Sequence, residues 1–413
     1  MTTSFSPPLR ILLCHSASPV AAGKHSWGGQ VAKGLELALL GDLGKNREQV
    51  WEHLDVASAV PLGDDIQFRS FLIPPTPPSG APAFLDDALH TLLVLLADGE
   101  LMADEEFLDW LSTCARDAGM ESGRHQFFTV VPGDETKQRW INEGRPEFRR
   151  FQTLDFSSLG EDAERLDWLV LQVLQAGMHL AVVGSGAPHD WKVRLFVSHA
   201  KRDGLSLAKS LKTLLNGIPL LDSFYDTRDL ASYRPWETQL HEAVISSVLV
   251  SLRTDVYDHR PYCQQEVRWA EEFGAPMVLV DARGGLVHAA SGLPFEGAPC
   301  VRIFDGNLVR ILHAVLRVSI RSQAFLRRVH ELQELKHLPT PPALQVIPVC
   351  PGMSSIFHAC QALSQAQAGP RVICYPEPRL PQGALEAAQS LAAKAGARLG
   401  TPAELLLEEE TAT

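Results

Sequence analysis

Two stretches hold residue types suited to chemistry. In "RPYCQQEVRW", residues 260–269, Glu266 follows Tyr262 by four positions, so on a helix the two share one face. A carboxylate so placed is able to stabilise a ribosyl oxocarbenium ion while an N-glycosidic bond breaks, by its charge and by accepting hydrogen bonds from ribose hydroxyls. The plain alternative is a glutamate that faces water, as most helical glutamates do. In "SFYDTRDLASYRPWETQL", residues 223–240, Phe224 and Trp236 are able to cover an adenine or nicotinamide ring, while Asp226, Arg228 and Asp229 fix the loop or reach ribose and phosphate. Here the alternative is a charged solvent loop with two aromatic anchors.

Both stretches need a scaffold, and the surrounding pattern supplies one. "VRLFVSHA" (193–200), "VLVSL" (248–252) and "PMVLVDA" (276–282) are short apolar runs that predict buried strands, and "LSLAKSLKTLL" (205–215), "WETQLHEAVISS" (236–247) and "YCQQEVRWAEEFG" (262–274) are amphipathic helices between them. This alternation predicts a parallel α/β sheet over about residues 192–320, with Gly274 closing the helix that carries Glu266. The 223–240 loop then projects from the carboxyl ends of the strands, where open α/β sheets bind ligands.

The same order of blocks occurs earlier in the chain. Arg10 to His15 parallels Arg194 to His199, residues 88–107 align without a gap on 243–262, "FFTVVPGD" (127–134) matches "MVLVDARG", and 163–177 sits where 307–319 sits. We read this as a diverged duplication, with a first domain over 1–180. In that alignment Phe107 falls on Tyr262 and Leu111 on Glu266, so the first copy lacks the carboxylate, and its loop "FLIPPTPPSGAPAF" is proline-rich. A helix and linker are expected over 321–342, ending at "PTPP", and a small β-α-β-α unit over 343–413 with a frayed end.

Composition bounds the rest. Among 413 residues, 45% are hydrophobic and 21% charged, and the formal charge is −12. That is a globular composition without the clustered cations that bind nucleic acid or anionic membrane. Seven cysteines without a C-x-x-C spacing, a start without a signal-type apolar run, and an apolar segment at 89–97 too short to span a bilayer lead us to expect reduced thiols and a cytoplasmic protein. "SPVAAGKHS" fails as a phosphate loop, since Ser18 stands at its first glycine and His25 where a magnesium-binding hydroxyl is needed. Cys263 has no histidine partner within its motif and reads as a half-buried thiol. "RRVHELQELKH" reads as a solvated helix face. No metal site is expected.

"LFVSHAKRDG", "FYDTRDLASYRPW" and "RPYCQQE" together resemble the three landmarks of the Toll/interleukin-1 receptor (TIR) domain family, over about residues 192–320. Ser198, His199 and Asp203 fit the family's first box. Phe224, Asp226, Asp229, Leu230 and Trp236 fit its BB loop, and Tyr262, Cys263 and Glu266 fit the run whose glutamate is catalytic in those members that cleave NAD. Two positions depart: Tyr233 stands where glycine is usual, and Arg260, in place of serine, adds a cation able to meet a diphosphate or to pair with Asp258. The resemblance implies a flavodoxin-like fold and NAD(+) glycohydrolase or cyclase activity. Glu266 would be catalytic, and Ser198, His199, Asp203, Phe224, Asp226, Asp229, Trp236, Arg260 and Tyr262 would shape the substrate site. NAD is then substrate and no separate cofactor is implied. Activation would come by self-association, under a protein or nucleotide trigger and in bacterial anti-phage defence. The alternative is a non-catalytic interaction protein built from two TIR-like units.

Overall fold

A computed structural model describes residues 7–15, 19–20, 24–40, 60–61, 66–71, 88–116, 120, 123–161, 164–183, 191–224, 235–284, 298–303, 306–365, 370–377 and 380–412. The chain divides into two units, Met1–Ala187 and Pro188–Thr413.

In the first unit, strand β1 (Leu9–His15) is followed by a two-residue hairpin, β2 (Pro19–Val20) with β3 (Lys24–His25), and by helix α1 (Trp27–Leu40). Strands β4 (Val60–Pro61), β5 (Ile66–Phe71), β6 (His90–Leu96), β7 (His125–Val131) and β8 (Thr153–Asp155) complete a six-stranded sheet ordered β4-β5-β1-β6-β7-β8. Only the edge strand β4 runs antiparallel to its neighbour. Helices α2 (Glu105–Ala115), α3 (Asp134–Glu143) and α4 (Arg165–Val183) follow β6, β7 and β8. Every residue of β1 and β6 is buried, as expected of central strands covered on both faces. The proline-rich loop of this unit lies, beyond Phe71, outside the described residues.

The second unit opens with a five-stranded parallel sheet. Strands β9 (Val193–His199), β10 (Leu221–Phe224), β11 (Val248–Arg253), β12 (Met277–Asp281) and β13 (Cys300–Arg302) are ordered β10-β9-β11-β12-β13. That is the flavodoxin-like order 2-1-3-4-5, and the five parallel strands of the first unit follow the same order. Helices α5 (Leu205–Leu215), α6 (Trp236–Ile245) and α7 (Pro261–Glu272) connect the strands, close to their expected spans.

Helix α7 is built as its sequence suggests. Pro261 stands at its first position, and Cys263, Val267 and Ala270 form the buried stripe. Gly274 ends it at φ +65°, with Gly274 N–H donating to Glu271 O and Ala275 N–H to Ala270 O, a paired cap that needs a residue tolerant of positive φ.

Two expectations need correction. The boundary at 320/321 falls inside one continuous helix, α8 (Val309–Glu334), because its buried stripe runs from Val309 to Leu332 without a break. The carboxyl-terminal segment is larger than a β-α-β-α unit. Strands β14 (Leu344–Val346), β15 (Arg371–Cys374) and β16 (Ala397–Gly400) form a three-stranded parallel layer with helices α9 (Met353–Ser364), α10 (Gln382–Lys394) and α11 (Pro402–Ala412). The end taken as frayed is α11, nucleated by a reciprocal cap: Thr401 Oγ1 accepts from Glu404 N–H at 3.4 Å and Glu404 Oε2 from Thr401 N–H at 3.0 Å. Among the described residues no helix is long and apolar enough to cross a membrane.

Thr401 is fully buried, so Thr401→Ala should cost about 1 kcal/mol, the usual loss for removing a capping hydroxyl. The denaturation midpoint should fall, and amide exchange should rise first over 402–407.

Candidate active site

The site is assembled from the carboxyl end of the five-stranded sheet. Ser198 is the penultimate residue of β9 and is buried. In register beside it, β11 places Ser251, and the chain leaving β11 turns through a short 3₁₀ helix, Tyr257–His259. Tyr257 is fully buried in the cluster that holds Phe196, Cys263 and Val267. Helix α7 then returns across this edge. Glu266, three positions after buried Cys263, is turned from the margin of the buried stripe toward Ser198.

The result is a chain of hydrogen bonds. Ser198 Oγ donates to Glu266 Oε2 at 2.5 Å and lies 2.7 Å from Tyr257 Oη. Ser198 has one hydroxyl hydrogen, so when Glu266 is ionised Tyr257 donates to Ser198 and Ser198 to Glu266. Burial pushes the Glu266 carboxyl up from 4.5 to about 7, against the lowering by the Ser198 hydrogen bond. Burial, then the nearby Glu266 charge, holds the Tyr257 phenol well above its ordinary value and pushes the Cys263 thiol up to about 12. Cys263 is therefore a protonated core thiol at neutral pH, as expected of its sequence context.

The other expected site residues divide sharply. Asp203 is exposed but engaged locally: Oδ1 accepts from Thr254 Oγ1 at 2.7 Å and Oδ2 from Val256 N–H at 3.2 Å, which pins the loop leading to Tyr257. His199 is half-buried at the end of β9, with Nδ1 3.2 Å from the Val197 carbonyl. Phe224 stacks on Phe196 with centroids 5.3 Å apart and packs against the core, so it anchors the strand end. Trp236 does the opposite. At 41% exposure it meets Tyr262, itself 61% exposed, edge to face at 5.1 Å. Arg260 is exposed at the amino end of α7. Its expected partner Asp258 is held instead by buried Arg253, whose Nε lies 3.0 Å from both carboxylate oxygens and whose Nη2 also donates. Asp226, Arg228, Asp229, Leu230 and Tyr233 lie outside the described residues.

Sequence reasoning missed Tyr257, which stood in "RTDVYDHRPY" as one more loop residue. The available signal was a tyrosine directly after a buried strand, since a buried tyrosine hydroxyl needs a polar partner. In the first unit, the ungapped alignment puts Cys14, Met102 and Leu111 at the positions of Ser198, Tyr257 and Glu266. Cys14 and Leu111 are fully buried in one apolar cluster, with Met102 packed against it. The three equivalent side chains there are apolar.

A separate shallow cleft, lined by Pro276, Met277, Pro299, Val318, Pro348 and Val349 among others, lies at the amino-terminal end of β12 and shares no residue with Ser198, Tyr257 and Glu266. Neither a protein-family model nor a curated protein matches this chain. The second unit is thus a flavodoxin-like α/β unit with a half-buried carboxylate at the carboxyl edge of its parallel sheet.

The Glu266 proton has a direct consequence for stability. The folded protein holds it to higher pH than the unfolded chain does, so the group contributes fully below about 4.5 and that contribution is lost as pH rises through about 7. At about 1.4 kcal/mol per pKa unit, reduced by the group's partial exposure, the loss is at most a few kcal/mol. Glu266→Gln keeps the neutral shape at every pH. Its denaturation midpoint should be near wild type at pH 5 and clearly higher than wild type at pH 8; equal midpoints at pH 8 would show that Glu266 ionises without penalty.

Proposed function

We propose that the second unit is a TIR-type NAD(+) glycohydrolase with Glu266 as its catalytic carboxylate. The observation that carries the reading is a carboxylate largely shielded from water, held by a serine hydroxyl and, among the described residues, paired with no cation, at the edge of the sheet where such folds bind ligands. A carboxylate in that state has electrostatic work still to do, because a positive charge developing beside it would be stabilised strongly in low dielectric.

In the proposed step the C1′–N bond of NAD breaks and its electron pair leaves with nicotinamide. The cationic ribosyl carbon faces ionised Glu266, a water oxygen bonds to C1′, and the water proton is released. NAD and water thus give ADP-ribose, nicotinamide and a proton. An adenine ring nitrogen attacking C1′ through its lone pair in place of water, with a proton then lost from the exocyclic amine, gives the cyclised product. The exposed Trp236–Tyr262 pair beside the site offers aromatic surface for a base or nicotinamide ring. Arg260, exposed at the amino end of α7, offers charge to a diphosphate. Self-association, a protein or nucleotide trigger, a cytoplasmic setting and a role in anti-phage defence belong to the same proposal. The first unit, apolar at the equivalent position, serves contact or sensing. The exposed aromatic pair also favours a second reading, in which Trp236 and Tyr262 are the centre of a non-catalytic docking surface.

Nicotinamide release from NAD by the full chain, with and without crowding agents that promote assembly, separates the two. Glu266→Gln should lose about 10²- to 10³-fold in rate with the fold intact, and release at the wild-type rate would refute the mechanism. For wild type, kcat/KM should rise with pH through an apparent pKa near 7, where Glu266 ionises. Ser198→Ala removes a hydrogen bond that favours the ionised form, so its profile should shift to higher pH. Trp236→Ala should weaken activity and assembly together, followed by light scattering beside the assay, while Leu111→Glu in the first unit should create no activity.

A further inference from the structure

Glu271 breaks a local rule. It lies in the last turn of α7, where the unpaired carbonyls of a helix end disfavour an acid, and it is nevertheless buried. The reason lies in another element. Glu271 Oε1 accepts the Ser354 N–H at 3.1 Å, one of the first amides of α9, whose amino end favours a negative charge. The N-cap residue of α9 is Gly352, which has no side chain to cap with. A Cβ on Gly352 would stand 2.1 Å from Glu271 Oε1 and 3.0 Å from its carboxyl carbon. The backbone there, φ −86°, is open to any residue, so the glycine serves to admit the carboxylate.

The next three residues of the chain are held by the same layer. Glu272 Oε1 lies 3.6 Å from His358 Nδ1, Phe273 and His358 rings are 4.5 Å apart, and a Cβ on Gly274 would stand 2.9 Å from Ile347 Cγ2. At the opposite end of α7, Arg260 provides no side-chain cap, Gln264 Nε2 donates to the Asp258 carbonyl at 2.6 Å, and Cys263 begins the buried stripe. Glu266 is five residues from Glu271 along one rigid helix, about 7.5 Å at the helical rise. Its 2.5 Å bond to Ser198 tolerates little displacement of that helix.

We infer that Glu271 is a positioning residue: the three-stranded carboxyl-terminal layer grips the end of α7 through this carboxylate and thereby sets Glu266 against Ser198. The inference rests on the proposed function for its link to turnover, but the link to Glu266 itself stands on geometry. It makes the 343–412 layer a controller of the site, since any event that loosens Gly352 and Ser354 releases α7.

Three full-length variants test it: Glu271→Gln, which keeps an oxygen acceptor for Ser354; Glu271→Ala, which removes it; and Gly352→Ala, which drives the carboxylate out. In nicotinamide release, the two alanine variants should lose about 10- to 100-fold in kcat, the scale of a small misplacement, with KM little changed, while Glu271→Gln stays near wild type. A second readout needs no NAD. Each variant is compared with its Glu266→Gln double mutant in denaturation at pH 5 and pH 8. The extra stability that Glu266→Gln gives at pH 8 in the wild-type background should shrink in the alanine variants, because a displaced Glu266 regains water, and should persist in Glu271→Gln. If the alanine variants keep both wild-type kcat and the full pH-linked difference, or if Glu271→Gln loses as much as Glu271→Ala, the inference is overturned. A wild type inert toward NAD under all assembly conditions, with the pH-linked difference still shrinking as described, would sink the proposed activity and leave the positioning role standing. Should Gly352→Ala fail to fold, the comparison of Glu271→Ala with Glu271→Gln decides.

Discussion

The second unit is organised around the cost of taking most of the water from a carboxylate that, among the described residues, has no cation beside it. Glu266 receives one strong hydrogen bond, from Ser198, and burial leaves its proton affinity near neutrality. Each neighbouring feature serves that arrangement. Ser198 must sit at the strand end, where a hydroxyl can point out of the sheet edge. Tyr257 must supply the hydrogen bond that lets Ser198 donate onward, and Asp203 must hold the loop that delivers Tyr257. The Cys263, Val267 and Ala270 stripe must seat α7 at one rotation, because a turn of the helix about its axis would carry Glu266 into solvent.

The two units separate topology from chemistry. Both have parallel strands in the order 2-1-3-4-5, yet the positions aligned with the polar triad are Cys14, Met102 and Leu111, all within one apolar cluster. An apolar set at this place needs no partner and no proton, so the first unit fills the space with packing where the second stores electrostatic potential. A fold of this kind does not carry an activity by itself. On the proposed reading, the three polar side chains are what distinguish the catalytic unit.

The charged and aromatic residues of the motifs likewise fall into two groups. Asp203, Phe224, Arg253 and Asp258 satisfy one another or the core, and their composition in the sequence looked no different from that of Trp236, Tyr262 and Arg260, which remain at the surface. The carboxyl-terminal layer adds a further constraint, since it supplies the amide that makes a buried Glu271 tolerable at the end of α7.

Features that depend on near neighbours in the chain are written in the sequence. The parallel α/β alternation, the start of α7 at Pro261, its end at Gly274 and the presence of Glu266 beside its buried stripe all follow from periodicity and local backbone preference. The Thr401–Glu404 cap is equally legible, as a threonine followed three positions later by a glutamate. Which groups meet depends on the folded packing. Ser198 is far in the chain from both Tyr257 and Glu266, and their convergence depends on strand order, on the register that sets Ser198 beside Ser251, and on the rotation of one helix. The raised proton affinity of Glu266 was hidden for the same reason. Desolvation is a property of everything that surrounds a group, and no window of sequence around Glu266 contains the residues that exclude its water.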